Sequence, residues 1–311
     1  MHSPSDRPAW KTLLAFSIIY FAWGSTFLAI RIGVHEVPPL LFAALRFLIA
    51  GVALYGWTVL RGEQLPKGRE WGSVILLAFL IFVVDYGFLF WAEQRVPSGL
   101  AAVMLATIPV FTALAEILFL RTQRLTFRLA TALLIGLAGV AVLTIRSLSL
   151  GGAPIDAAGA VGLLIGSLSW SVASVLTRKL PLPASKIVSS GAQMMVGGVM
   201  LTVAAGAVGE FRGFHPSSVS FAAWVALLYL IVIGSIVGFT AYLWLLHHES
   251  PTKVGTYAYV NPVVAVMLGY AFGGEELGVR TILGAVFVVI SVVVITTTRS
   301  SFRSLVSKKA L

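Results

Sequence analysis

Apolar runs of about twenty residues, the length at which a helix crosses a hydrocarbon core of ~30 Å, alternate along the chain with short polar gaps. The runs begin near residues 11, 38, 71, 98, 127, 156, 186, 220, 252 and 278. They predict ten spanning helices. The gaps carry turn signals, "VPP" at 37 to 39, "RGEQLPKGRE" at 61 to 70 and "LPLP" at 180 to 183, and leave no room for a soluble domain. The first run extends too far for a signal peptide and lacks a small-residue cleavage site, so it reads as an uncleaved span.

Composition agrees. Of 311 residues 58% are hydrophobic and 11% charged, against about 25% charged in soluble domains. The net charge of +10 does not point to nucleic acid, because the basic residues sit in the gaps between apolar runs rather than on one basic face. Placed on alternate sides, they divide sixteen to five, with Arg46 inside a span. The richer side is the one holding both termini, which the positive-inside rule assigns to the cytoplasm. The absence of cysteine excludes disulfides, thiolate metal sites and a cysteine nucleophile.

The chain also repeats itself. "YFAWGSTFLAIRIG" (20 to 33) aligns with "SLSWSVASVLTRKL" (167 to 180), matching Trp23 to Trp170 and Arg31 to Arg178; the same register pairs Gly51 with Gly198. With small gaps, "IPVFTAL" (108 to 114) pairs with "NPVVAVM" (261 to 267) and "RLTFR" with "ELGVR". Five spans per copy is an odd number, so the copies, 1–148 and 149–311, enter the membrane with opposite orientation. Such inverted repeats place a transport site near the midplane where the halves meet. Trp23 lies about 18 Å from the inner end of its helix at 1.5 Å per residue, which is mid-membrane depth.

"AWGSTFLAIRIGVHEVPPLLFAALRFLIAG", followed by "VPSGLAAVMLATIPVFTAL" and the weaker second copy "YVNPVVAVMLGYAFGGEEL", resembles the EamA family of the drug/metabolite transporter superfamily over essentially the whole chain. The resemblance implies an all-α basket of two inverted five-helix repeats around a central cavity in the bacterial cytoplasmic (inner) membrane. It also implies export of small metabolites, often amino acids, or of drugs. Two positions depart from the family pattern: Gln123 stands where an acidic residue is common after the fourth helix, although Glu275 is kept in the second copy, and the third helix carries Asp85.

The candidate substrate contacts are Trp23, Ser25, Thr26, Asp85, Tyr86, Thr107, Trp170, Tyr257 and Asn261; Trp91, Tyr242 and Tyr259 are further aromatic candidates, for the cavity or an interfacial belt. Pro109 and Pro262 are read as mid-helix breaks that free carbonyls near the midplane. Arg46, costly inside a span, needs a partner, for which Asp85 at similar depth is the best placed. Arg46, Asp85, Pro109 and Pro262 are thus the candidates for coupling or gating. Glu116 is placed near the headgroups. His247, His248 and Glu249 are adjacent in a loop without a further ligand cluster, and neither a metal nor a cofactor is expected. Small residues at 134 to 139 and 197 to 199 suit close helix contacts.

No Walker A, G-x-S-x-G or H-E-x-x-H motif occurs, so neither ATP-driven pumping by this chain nor the familiar hydrolase chemistries are expected, and no catalytic residue is assigned. The expected function is secondary transport by alternating access. Its partners are a small-molecule substrate, the lipid bilayer and, as candidate driving force, a proton gradient; the assembly is a monomer or weak dimer. A multidrug carrier is the alternative, with an intramembrane enzyme or channel further off.

Overall fold

The computed structural model describes residues 9–95, 101, 104–149, 156–212, 214–273 and 279–297. The described residues are helical and contain no strand. In chain order the helices are α1 Ala9–Val34, α2 Pro39–Leu60, α3 Arg69–Ala92, α4 Ile108–Leu120, α5 Phe127–Ser149, α6 Ala157–Leu176, α7 Lys186–Ala207, α8 Phe221–His248, α9 Tyr257–Gly273 and α10 Val279–Thr297. A single turn, Pro251–Val254, precedes α9. Six helices (α1, α2, α3, α6, α7 and α8) are long and apolar enough to cross a membrane, and Ile108–Leu120, Phe127–Val142 and Ile282–Thr297 are shorter apolar helices. The run expected to start near 98 begins outside the described residues. Large apolar side chains such as Phe21, Leu28, Leu60, Phe127 and Val203 face outward, as a hydrocarbon solvent requires.

Local chemistry sets the helix starts. Pro39 opens α2, where its missing N–H costs nothing. Asp156, Ser185, Ser220 and Ser250 each accept a hydrogen bond from a backbone N–H three residues on, satisfying donors that a helix terminus leaves open. Two carboxylates tie loops to neighbouring helices. Glu210 accepts from Leu40 N and Leu41 N at the start of α2, and Glu36 accepts from Ser220 N and Oγ at 2.6 and 2.7 Å. Those bonds to the ionised form hold the Glu36 carboxyl below its ordinary pKa.

Glycine permits the closest approaches. A Cβ on Gly51 of α2 would lie 2.2 Å from Met195 N of α7, and one on Gly198 of α7 would lie 2.5 Å from Leu48 N of α2. The two contacts are mates at the repeat spacing, since Leu48 stands to Met195 as Gly51 does to Gly198. At Gly139 of α5 a Cβ would come within 2.9 Å of Gly284 O and Val288 N of α10, and at Gly197 it would run into the Phe82 ring.

One feature has no signature in the hydropathy pattern. Phe79–Tyr86 in α3 and Leu230–Val237 in α8 are wound as π-helix, as is Glu116–Leu120 at the end of α4. The wider winding leaves carbonyls for side chains of other helices. Ser169 of α6 donates to Leu80 O at 2.8 Å, and Trp23 Nε1 of α1 donates to Gly234 O at 3.0 Å.

Candidate functional site

At the centre of the bundle five helices contribute rings to one cluster. Trp23 meets Trp170 edge-on with centroids 5.4 Å apart, Tyr257 at 4.6 Å and Tyr242 at 5.1 Å; Trp170 in turn meets Tyr242 at 5.0 Å and Tyr86 at 5.9 Å. Such tilted and edge-to-face pairs are worth about 0.5–1.5 kcal/mol each beyond area burial. Tyr242 and Ser174 share a short hydroxyl–hydroxyl bond.

A cavity of about 40 Å³ lies against this cluster, room for a few waters. Seven of the expected contacts line it: Trp23, Thr26, Asp85, Tyr86, Trp170, Tyr257 and Asn261. Phe27, Ile30, Leu89, Leu105 and Ile108 complete the wall. Helical spacing could have found part of that set, since Phe27 and Ile30 follow Trp23 by four and seven residues, and Leu89 follows Asp85 by four. From the rings the cavity runs along α1 as far as Ile30 and along α3 as far as Leu89, on the side where both helices terminate.

Asp85, in the π stretch of α3, is 8% exposed and makes no hydrogen bond or ion pair among the described residues. Space for its carboxylate exists because Gly166 of α6 lacks a Cβ, which would come within 3.2 Å of Asp85 Oδ1. Asn261 Oδ1 is buried without a partner, and Trp170 Nε1 completes no hydrogen bond.

Several expectations need correction. Arg46 does not pair with Asp85: its Nε donates to Ser235 Oγ of α8 at 2.8 Å, and its guanidinium lies over the rings of Phe47 and Tyr86 at 4.6 and 5.1 Å. The π winding of α8 turns Ser235 toward α2, and flanking aromatic faces supply the remaining electrostatic support. Ser25 points away from the cavity, donating to Phe21 O and bonding the Tyr229 hydroxyl at 2.6 Å. Thr107 Oγ1 donates to Met104 O and lies off the cavity wall. At Pro109 the run is broken rather than kinked: residues 104–105 are helical, the chain turns at Ala106 and Thr107, and Pro109 is the second residue of α4, where its missing N–H is harmless. Pro262 does lie inside α9. Gly24 packs against α9, with a virtual Cβ 2.7 Å from Val264 Cβ. Tyr259 is buried beside α5, donating to Leu133 O, and the half-buried Trp91 ring carries the Arg95 guanidinium at 4.4 Å. His248 stacks on Trp244. Glu275 lies outside the described residues.

The opposite end of the bundle holds a polar cluster that headgroup exposure does not describe. Glu116 is 1% exposed; its Oε2 accepts from Thr252 N at 3.1 Å and Oγ1 at 2.7 Å, and its Oε1 from Thr122 Oγ1 at 2.9 Å. Beside it Arg178 Nη1 donates to Glu249 O at 2.8 Å, and Tyr20 bonds Thr256. At the cavity end, just past α3, Glu93 is buried with Oε1 unpartnered. Burial raises its pKa to about 7, with Arg31 opposing the rise.

Comparison with known proteins matches the EamA-like transporter family model twice, over residues 10–145 and 157–297. The chain is 40% identical over 284 residues to the "Uncharacterized inner membrane transporter YedA" of Escherichia coli K12, covering 91% of this chain and 89% of that one. It is 28% identical to Protein PecM of Dickeya dadantii, over 88% of each, and 27% identical to a chloroplastic WAT1-related protein of Arabidopsis thaliana, over 90% of this chain and 69% of the relative. A solved structure, titled only "Crystal structure of protein", superposes with a TM-score of 0.74 at 23% identity, covering 92% of this chain and 97% of the other, and supports the fold. The chain is a multi-pass membrane protein and belongs to the EamA-like transporter family.

Proposed function

We propose that this protein is a secondary transporter that exports small metabolites, amino acids among the candidates, across the cytoplasmic membrane by alternating access. In this reading ten helices span the bilayer as two inverted five-helix halves, 1–148 and 149–311, with both termini cytoplasmic. The observation that carries it is the mirrored contact geometry. Gly51 against Met195 and Gly198 against Leu48 are mates at one spacing, and Trp23 meets its own mate Trp170 beside the cavity. That is what two halves related by a pseudo-two-fold axis produce, with the site at their junction.

With the termini inside, the cavity reaches toward the extracytoplasmic end, and Glu116, Thr252, Arg178 and Glu249 lie at the cytoplasmic end. An outward-directed conformation with the inner end closed accounts for both. Counterflow in proteoliposomes tests the reading. Saturable, trans-stimulated exchange is expected; flux that does not saturate would indicate a channel, and stoichiometric conversion of the solute an enzyme. An imposed pH gradient that accelerates uphill movement would identify the proton as coupling ion.

A further inference from the structure

The polar inventory of the central cavity is unbalanced. Among its twelve lining residues there is one carboxylate, Asp85, and no lysine, arginine or histidine. Arg46 is nearby but does not line the cavity: its Nε donates to Ser235 of α8 and its guanidinium lies behind the Phe47 and Tyr86 rings, with Nη1 left without a partner. Two groups at the wall that can accept are without a partner: the Asp85 carboxyl, and Asn261 Oδ1 in a residue 4% exposed. The donors there, Trp170 Nε1, the Tyr86 and Tyr257 hydroxyls and Asn261 Nδ2, are neutral.

A substrate ammonium brings three N–H donors and no acceptor, which matches this set. Aromatic faces add attraction for a cation in a site poor in water. A substrate carboxylate meets the reverse: it must leave water and finds no cation among the described residues of the wall, which costs several kcal/mol in a dry site. We infer that the cavity selects a monocationic amine with an apolar or aromatic body over the matching amino acid or carboxylic acid. The inference rests on the reading of this cavity as the transport site. It narrows that reading, because a zwitterionic amino acid would carry a carboxylate that no cavity-lining cation neutralises.

Three probes that share one phenyl ring separate the charge classes: phenethylamine, phenylalanine and phenylacetate. Binding to the detergent-solubilised full chain is measured by titration calorimetry at pH 7, and exchange by counterflow of the same probes. Phenethylamine is expected to bind at least about tenfold more tightly than phenylalanine, with phenylacetate weakest. Asp85→Asn, which keeps the side chain's shape, is expected to remove that preference while an unchanged unfolding temperature shows the fold intact. Asn261→Ala is expected to weaken amine binding without inverting the order, and guards the test should D85N fail to fold. Phenylalanine or phenylacetate binding as well as the amine would overturn the charge rule and leave the transport reading standing. Selective amine binding without counterflow would uphold the rule and overturn transport. Equal amine affinity in D85N would remove Asp85 from the site, and binding of none of the three probes would overturn the inference.

Discussion

Gly51→Ala is the sharpest test of the packing at the α2–α7 contact. The added Cβ would lie 2.2 Å from Met195 N and 2.6 Å from its Cα. Reaching ordinary contact at 3.4 Å requires a displacement of 1.2 Å, and the obstacle is helix backbone, which cannot rotate aside as a side chain can. Overpacking of this kind costs about 1–3 kcal/mol, and rigid backbone argues for the upper end. Alanine returns up to about 1 kcal/mol of helix propensity, leaving a net loss of about 2 kcal/mol. Gly56→Ala is the control: it lies on the same helix with nothing within 4 Å of the new methyl, so only the propensity gain remains. Thermal unfolding in detergent micelles, followed by tryptophan fluorescence, should place G51A well below wild type and G56A level with it or slightly above. Gly198→Ala, the mate, should resemble G51A. The double variant should lose less than the sum, because one separation of the helices relieves both clashes. A G51A that unfolds with G56A, or a strictly additive pair, would refute the reasoning.

Two further outcomes follow from the bundle's ends. Glu93 has a native pKa near 7 against an ordinary 4.5, so the native state holds this proton more tightly than the unfolded chain. Stability from this group is complete below pH 4.5 and is lost as pH rises through about 7, by about 3 kcal/mol at most. Glu93→Gln should flatten that slope in unfolding curves recorded from pH 4 to 8, and an unchanged slope counts against the assignment. Glu116→Ala strands Thr252 N, Thr252 Oγ1 and Thr122 Oγ1, a loss of about 3 kcal/mol at that end. Because the chain has no native cysteine, Val254→Cys gives a single buried thiol beside it. Maleimide should label that thiol faster when E116A is added, and an equal rate would show that Glu116 does not close this end.

Much of this architecture was legible in the apolar runs, because length and turn chemistry decide a helix in a bilayer. Runs expected to begin near 38, 127, 156, 186 and 220 match helices starting at Pro39, Phe127, Ala157, Lys186 and Phe221. Which face of each helix turns inward was less legible. In a helix apolar all round the hydrophobic pattern has no preferred side, so only polar or aromatic residues mark one. Trp23, Asp85 and Asn261 carried such a mark and line the cavity. Ser25, two residues from Trp23, satisfied its hydroxyl on its own helix and on Tyr229 instead, an option open to any helical serine. Arg46 was recognisable as needing a partner, but the partner's identity depended on π winding in α8 that brings Ser235 to it. Apolar composition gives no hint of that winding.

The π stretches of α3 and α8 also bear on how the centre could move. A π turn holds more residues than the α turn it replaces; moving one extra residue to a neighbouring turn would rotate only the segment it passes, by about 100°, the step per residue of a helix with 3.6 residues per turn. In α3 that stretch carries Asp85, and in α8 it carries the serine that holds Arg46. Each helix thus contains a swivel at mid-length, with its ends fastened by loops and caps. Rewinding either stretch would re-aim the side chains around the rings without the helix sliding through the bilayer, so a large change in what the cavity presents needs little displacement at the membrane surfaces.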